Sequence, residues 1–208
     1  MKNLIIIDHP LVKCDLTLLR NRKTPSHKFR DILRRTASLM AYEVSWDIQL
    51  KEIEINTPLE KTRGVAVDQQ VVLVPILRAG LGLVEGFVEV MPNIRVGHIG
   101  LFRDEETLKP VDYYFKVPRN LNRALVLLLD PMLATGGSAA AAISFLKEHG
   151  ANTIRLINLV SAPEGVRVVH KAHPDVVMYT CALDRELNNR GYILPGLGDA
   201  GDRIFGTE

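Results

Sequence analysis

Cysteine is scarce, with only Cys14 and Cys181 in 208 residues. They lie far apart and form neither a CxxC pair nor a disulfide framework, so two reduced thiols in a cytoplasmic protein are expected. Long apolar runs are also missing. The one near the start, residues 4–7, ends at Asp8 and is far too short for a signal-peptide core. No stretch approaches the roughly 18–20 apolar residues that cross a bilayer, which excludes a membrane-spanning helix. Charge of one sign is nearly absent. The 26 basic and 24 acidic residues leave a net charge of +2, too small an excess for bulk nucleic-acid binding. No repeat, low-complexity tract or linker divides the chain, so one domain over residues 1–208 is expected. No glycine is followed by lysine, which removes the Walker A loop and the kinases built on it.

What is present suits a globular fold with a sizeable core, at 47% hydrophobic and 24% charged residues. Phe29, Ile32, Leu33, Met40 and Val44 recur at helical spacing behind a candidate cap at Ser26. Residues 51–56 alternate charged and apolar side chains, the pattern of a half-buried strand. From residue 71 the rhythm changes. Residues 71–74, 96–102, 124–129, 154–160 and 176–180 are short apolar runs. Helical candidates lie between several of them, over 83–91, 138–149 and 163–173. Near-continuous apolar strands alternating with helices indicate α/β architecture, a largely parallel sheet covered on both faces. Gly150 is placed to end the second of those helices in the left-handed region. In such sheets ligands bind beyond the carboxyl ends of the strands, so the loops after strands come first.

One loop stands out. The run 124–129 is followed by Asp130-Pro131-Met132-Leu133-Ala134-Thr135-Gly136-Gly137-Ser138 and then by alanines that favour helix. Paired glycines let backbone N–H groups approach an anion, Thr135 and Ser138 add hydroxyls, and the helix start adds a positive dipole end. Asp130 at the strand tip is an acceptor for sugar hydroxyls or a neighbour for a metal. The pattern favours a bound phosphate over an ordinary capped turn. A rival lies upstream. Gly80, Gly82 and Gly86 follow a strand and open a helix, as in a dinucleotide fingerprint, but with GxGxxxG spacing. Close helix–strand packing explains those glycines equally well. Arg78 beside them offers a third reading, an arginine that clamps a polyphosphate.

Three segments together resemble the uracil phosphoribosyltransferase family: residues 74–80, the loop 130–138, and the tail Gly191-Tyr192-Ile193-Leu194-Pro195-Gly196-Leu197-Gly198-Asp199-Ala200-Gly201-Asp202-Arg203. The resemblance runs from His9-Pro10-Leu11-Val12 to Phe205-Gly206-Thr207. The middle loop alone indicates the wider phosphoribosyltransferase family, and the tail selects uracil. It implies a largely parallel twisted sheet flanked by helices, with a β excursion and a C-terminal base-binding segment. It further implies transfer of a 5-phosphoribosyl group from phosphoribosyl pyrophosphate to uracil, giving UMP and pyrophosphate in pyrimidine salvage.

By that resemblance, Asp130, Pro131, Met132, Leu133, Ala134, Thr135, Gly136, Gly137 and Ser138 hold the ribose 5-phosphate, with Asp130 toward the ribose hydroxyls. Arg78 and Arg103 meet the pyrophosphate. Ile193, Gly198, Asp199 and Ala200 read uracil, largely through main-chain groups, and Asp199 also lies near the phosphoribosyl substrate. Asp130, Arg103 and Asp199 are the expected catalytic set. Mg²⁺ is the implied cofactor, carried mainly on the substrate's own oxygens, with no dedicated protein metal cluster. Residues 103–120 read as a polar excursion that folds over the site and excludes water. The resemblance also implies a homo-oligomer, dimer or tetramer, and a GTP effector, for which the helix bearing Arg30, Arg34 and Arg35 is a candidate anchor. Pro131 after Asp130 fits the uracil branch, whereas Cys14 and Arg185 depart from its usual histidine and acid. His170 and His173 are expected at the surface, and Asp184 and Glu186 read as a short charged stretch.

Overall fold

Short apolar strands that lead into helices set the topology, because each crossover helix returns the chain parallel to the strand before it. The computed structural model describes residues 3–103 and 110–207. In chain order, β1 (Leu4–Ile6), α1 (Pro10–Arg20) and α2 (Ser26–Val44) precede a hairpin of β2 (Leu50–Asn56) and β3 (Lys61–Val67). The central units are β4 (Gln70–Leu77), α3 (Leu81–Val90), β5 (Arg95–Val96), β6 (His98–Arg103) and β7 (Pro110–Lys116). Then come β8 (Ala124–Leu129), β9 (Met132–Leu133), α4 (Gly137–Glu148), β10 (Thr153–Ser161) and α5 (Pro163–Ala172). The chain closes with β11 (Val177–Leu183), β12 (Glu186–Leu187), β13 (Ile193–Leu194) and α6 (Ala200–Phe205).

The main sheet runs β1-β11-β10-β8-β4-β6-β7, with β5 beside β4 and β9 beside β10. Every pairing along it is parallel except β6 with β7. β8 shows why its sequence lacks alternation. Leu125, Leu127 and Leu129 enter one apolar cluster with Phe29, Leu33 and Phe87, while Val126 and Leu128 enter the other with Ile143 and Leu146. Period two persists, but both faces are buried. Gly150 adopts φ +91° and ends α4 as expected. Its N–H bonds to Lys147 O at 2.9 Å, and the Ala151 N–H bonds to Leu146 O at 2.9 Å.

Four details differ from the sequence reading. Ser26 is the first residue of α2 rather than its cap, and Pro25 holds the cap position with no side-chain bond. The run 96–102 is broken at Gly97, whose N–H bonds to Leu73 O at 2.8 Å, leaving β5 and β6 as separate pieces. β2 is exposed along its whole length, because β2 and β3 pair only with each other. Its alternation matches the strand period but no core face. His173 is buried, with Nε2 3.0 Å from Ala140 O and 3.1 Å from Ser144 Oγ, where it ties α5 to α4.

Candidate active site

The carboxyl ends of β4 and β8 bring two glycine-bearing turns side by side, and hydrogen bonding separates their roles. At the first turn, the N–H groups of Gly80, Leu81, Gly82 and Leu83 bond to the carbonyls of Ile76, Arg78, Ala79 and Gly80 at 2.9–3.2 Å. Those donors are spent inside the protein. The glycines answer to packing. A Cβ on Gly80 would fall 2.5 Å from Leu129 O, and one on Gly86 would fall 2.3 Å from Arg34 O. Gly82 packs on Leu33 and Ile204. The glycines of this turn are taken up by packing and the N–H groups of residues 80–83 by internal carbonyls, so they form no dinucleotide cradle and that reading is overturned.

The second turn is the reverse. Gly136 takes φ +83°, which turns the chain into α4. Among the described residues, the N–H groups of Thr135, Gly136, Gly137, Ser138 and Ala139 have no internal acceptor. All of these residues but Gly137 line a cavity of about 120 Å³, whose other walls are Asp130, Met132, Leu133 and Ala134. Five open donors at a helix start, with two exposed hydroxyls beside them, form an anion cradle.

Rigid contacts hold that cradle from behind. Pro131 O accepts from Leu159 N and Val160 N at 3.0 Å each, and Leu133 O accepts from Ala162 N at 2.8 Å. Asn158, fully buried on β10, donates to Asp130 O at 2.6 Å. Burial in this crowded strand end pushes the half-buried Asp130 carboxyl up to about 6, and one bond from Met132 N only partly opposes the shift. Gly165, at the start of α5, lets the loop settle there, since a Cβ on it would lie 2.4 Å from Ala134 O.

A second cavity, about 220 Å³, adjoins the first through Met132 and Ala134. Its other walls are Ala79, Gly191, Tyr192, Ile193, Gly198, Asp199, Ala200 and Gly201. The expected base-reading residues Ile193, Gly198, Asp199 and Ala200 therefore come together. The Asp199 side chain caps α6, accepting from Asp202 N at 3.0 Å, which leaves its main chain at the cavity. Arg78 is more than half exposed and reaches toward the same helix, 3.4 Å from Asp202 Oδ1. The Leu77–Arg78 and Leu194–Pro195 peptides are cis. The backbone of Arg103 ends β6, but its side chain lies outside the described residues, as do residues 104–109 of the expected polar excursion.

Some neighbours of the site were not singled out from the sequence. Ala79, Tyr192, Gly201 and Gly165 carry no charge and signal themselves only through what they touch. A larger cavity, about 640 Å³, lies at the opposite end of the sheet where β4 and β5 begin, between Trp46, Gln70, Met91 and Arg95. It holds no comparable cradle of open N–H groups, and strands receive ligands at their other ends.

A parallel sheet whose strand end leads through an acid and an open N–H cradle into a helix, next to a glycine-lined cavity, defines a phosphoribosyltransferase-type enzyme. The uracil phosphoribosyltransferase family model matches residues 6–207. The uracil phosphoribosyltransferase of Finegoldia magna is 53% identical over 209 residues, covering 100% of each chain. That of Fervidobacterium nodosum is 54% identical over 206 residues, covering 99% of this chain and 100% of its own. The structure of the AQ2163 protein from Aquifex aeolicus superposes with a TM-score of 0.93 at 36% identity, covering 99% of both chains. The adenine phosphoribosyl transferase of Trypanosoma brucei, at 13% identity and a TM-score of 0.62 over 96% of this chain and 89% of its own, shares the fold. The chain belongs to the uracil phosphoribosyltransferase family and is a pentosyl-transferring enzyme.

Proposed function

We propose that the two adjoining cavities hold phosphoribosyl pyrophosphate and uracil, with residues 130–138 on the 5-phosphate and ribose. The five open N–H groups of residues 135–139 carry this reading, because no acceptor among the described residues uses them. Asp130 accepts from the ribose hydroxyls. Arg78 turns from Asp202 to the pyrophosphate, and Arg103 joins it from the end of β6. Uracil enters between Ile193 and Gly198–Ala200, where backbone donors and acceptors match its alternating carbonyl and N–H groups. Cytosine would bring an amino group against a donor and be refused.

In the reaction, N1 of uracil forms a bond to C1 of the ribose while the bond from C1 to pyrophosphate breaks. Pyrophosphate leaves with the bonding pair, and the N1 proton is lost. The sugar carbon is electron-poor at the transition state and the leaving group strongly anionic, so the task is electrostatic. Arg78 and Arg103 meet the departing charge, and Asp199, near the phosphoribosyl substrate, completes the proposed catalytic set with Asp130 and Arg103. Among the described residues no group of three or more acids, histidines or cysteines could hold a metal alone. The single carboxylate of Asp130 suits Mg²⁺ that arrives on substrate oxygens and keeps water. When bound, the ion neutralises pyrophosphate charge.

The same reading assigns water exclusion to the polar excursion after Arg103, of which residues 110–116 form β7 in the main sheet, and sets the enzyme in cytoplasmic pyrimidine salvage. Among the described residues no helix is long and apolar enough to cross a membrane. A homo-oligomer is supported by the hairpin β2–β3, which exposes Leu50, Leu59, Val65 and Val67 and, among the described residues, pairs with no other strand. A GTP effector bound to α2 must displace existing partners, since Arg30 holds Ile204 O, Arg34 lies 3.7 Å from Glu89, and Arg35 pairs with Asp15. The test is product formation from purified protein, phosphoribosyl pyrophosphate and Mg²⁺, with uracil beside cytosine, hypoxanthine and orotate. UMP from uracil alone, lost in folded Arg103→Ala and Asp130→Ala proteins, is expected. No product with any base, with or without GTP, rejects it.

A further inference from the structure

The loop between Ile193 and Gly198 buries Leu197 in the core, but its backbone must also stay fixed at Gly196 if main-chain groups are to read a base. Two arginines from outside the loop hold it. Arg20, the last residue of α1, forms a two-armed ion pair with Asp184, at 2.8 and 2.6 Å. The same pair grips both polar groups of Gly196. Asp184 Oδ2 accepts its N–H at 2.9 Å, and Arg20 Nη1 donates to its carbonyl at 2.7 Å. Asp184 is buried, with its side chain 5% exposed. Beside it, Arg203 donates to Leu197 O at 2.8 Å and stacks over Phe29, 4.4 Å from the ring centroid. Gly196 itself has φ +58°, and a Cβ there would lie 2.2 Å from Ile193 O, so the loop closes tightly on its own start. Residues 195–197 stand outside the base cavity, whose walls are the flanking Ile193 and Gly198–Gly201.

We propose that Arg20 and Asp184 are positioning residues for base selectivity, acting through the Gly196 peptide and touching no substrate. A buried ion pair is a weak source of net stability, but it fixes geometry where two partners must meet in one arrangement. Main-chain readers have no rotamers with which to compensate for a shifted backbone. Releasing the Gly196 peptide should therefore misalign the donors and acceptors of residues 198–200 while leaving the phosphate cradle intact. This rests on the reading that uracil occupies the cavity beside those residues.

The experiment measures kcat and both KM values for Asp184→Asn and Arg20→Lys. Arg155→Ala serves as a control that breaks a remote ion pair with Asp47, and Ala79→Phe fills the base cavity. Asp184→Asn is expected to raise the uracil KM by about 10- to 100-fold, the scale of one or two lost charge-assisted bonds. Its phosphoribosyl pyrophosphate KM should stay within about threefold, and uracil preference over cytosine should fall. Arg20→Lys, which keeps the charge but one arm at most, should lie between it and wild type. If Asp184→Asn does not fold, Arg20→Lys alone decides. A wild-type uracil KM in these proteins, with Ala79→Phe unable to use uracil, overturns the positioning role. So does an equal rise in Arg155→Ala. A wild-type uracil KM in Ala79→Phe rejects the base-cavity reading instead.

Discussion

Gly136 and Gly165 lie back to back. A Cβ on Gly136 would fall 2.7 Å from the Gly165 carbonyl oxygen and 3.0 Å from its Cα. The start of α5 is thus the floor on which the phosphate loop rests. Gly165→Ala should push the loop outward, since the new methyl meets Ala134 O at 2.4 Å. The expected result is a phosphoribosyl pyrophosphate KM raised about tenfold or more and a stability loss of ~1–3 kcal/mol, the usual cost of overpacking. Steady-state kinetics and thermal unfolding check both. An unchanged KM would mean the loop needs no such floor.

Asp130 should impose an acid limb on the reaction. Burial pushes its carboxyl up to about 6, and the ionised form, with a charged acceptor on each oxygen, binds two ribose hydroxyls more strongly than the protonated form. The kcat/KM for phosphoribosyl pyrophosphate should fall about tenfold per pH unit below that value. Stability carries the opposite sign. A folded value above the unfolded 3.8 means that ionisation costs stability, not at all below about pH 4 and fully above about pH 6. Asp130→Asn should therefore be more stable than wild type at pH 8, by ~1–2 kcal/mol after allowing for solvent contact, and equal to it near pH 4. Paired melts at the two pH values measure this.

The thiols should differ sharply. Cys14 is exposed, whereas burial pushes the Cys181 thiol up to about 12. Native protein should take up one equivalent of maleimide at pH 7 and denatured protein two, with the native adduct on Cys14 by mass spectrometry. Labelling of Cys181 at the same rate would contradict the packing of β11.

If the hairpin meets a second copy, a charge placed on it should divide the assembly. Val65→Lys and Leu59→Lys change side chains 64% and 95% exposed, so neither should disturb the chain's own fold. Light scattering should show a lower molar mass with an unchanged far-UV spectrum. An unaltered mass in both would place any interface elsewhere.

The parts legible in the sequence were those whose signal is local. The loop 130–138 carries its glycines, hydroxyls and acid within nine positions, and β8 announces itself as an unbroken apolar run. Signals that depend on what lies opposite were not readable. Residues 51–56 alternate as a half-buried strand does, yet only β3 pairs with them and both faces meet solvent. Gly80, Gly82 and Gly86 imitate a nucleotide fingerprint because close packing against α2 and β8 also demands glycine. His173 reads as a surface histidine and Asp184 as part of a short charged stretch, and each is buried beside a partner far along the chain, Ala140 and Arg20. The Arg20–Asp184 pair spans 164 positions, a separation that no spacing rule reaches.

The most direct test of the phosphate cradle follows backbone amide resonances while ribose 5-phosphate is added to labelled protein. The largest downfield shifts are expected at Thr135, Gly136, Gly137, Ser138 and Ala139, with Gly80, Leu81 and Gly82 nearly still because their N–H groups are already bonded. Large shifts at Gly80–Gly82 with residues 135–139 unmoved would contradict the assignment of the site.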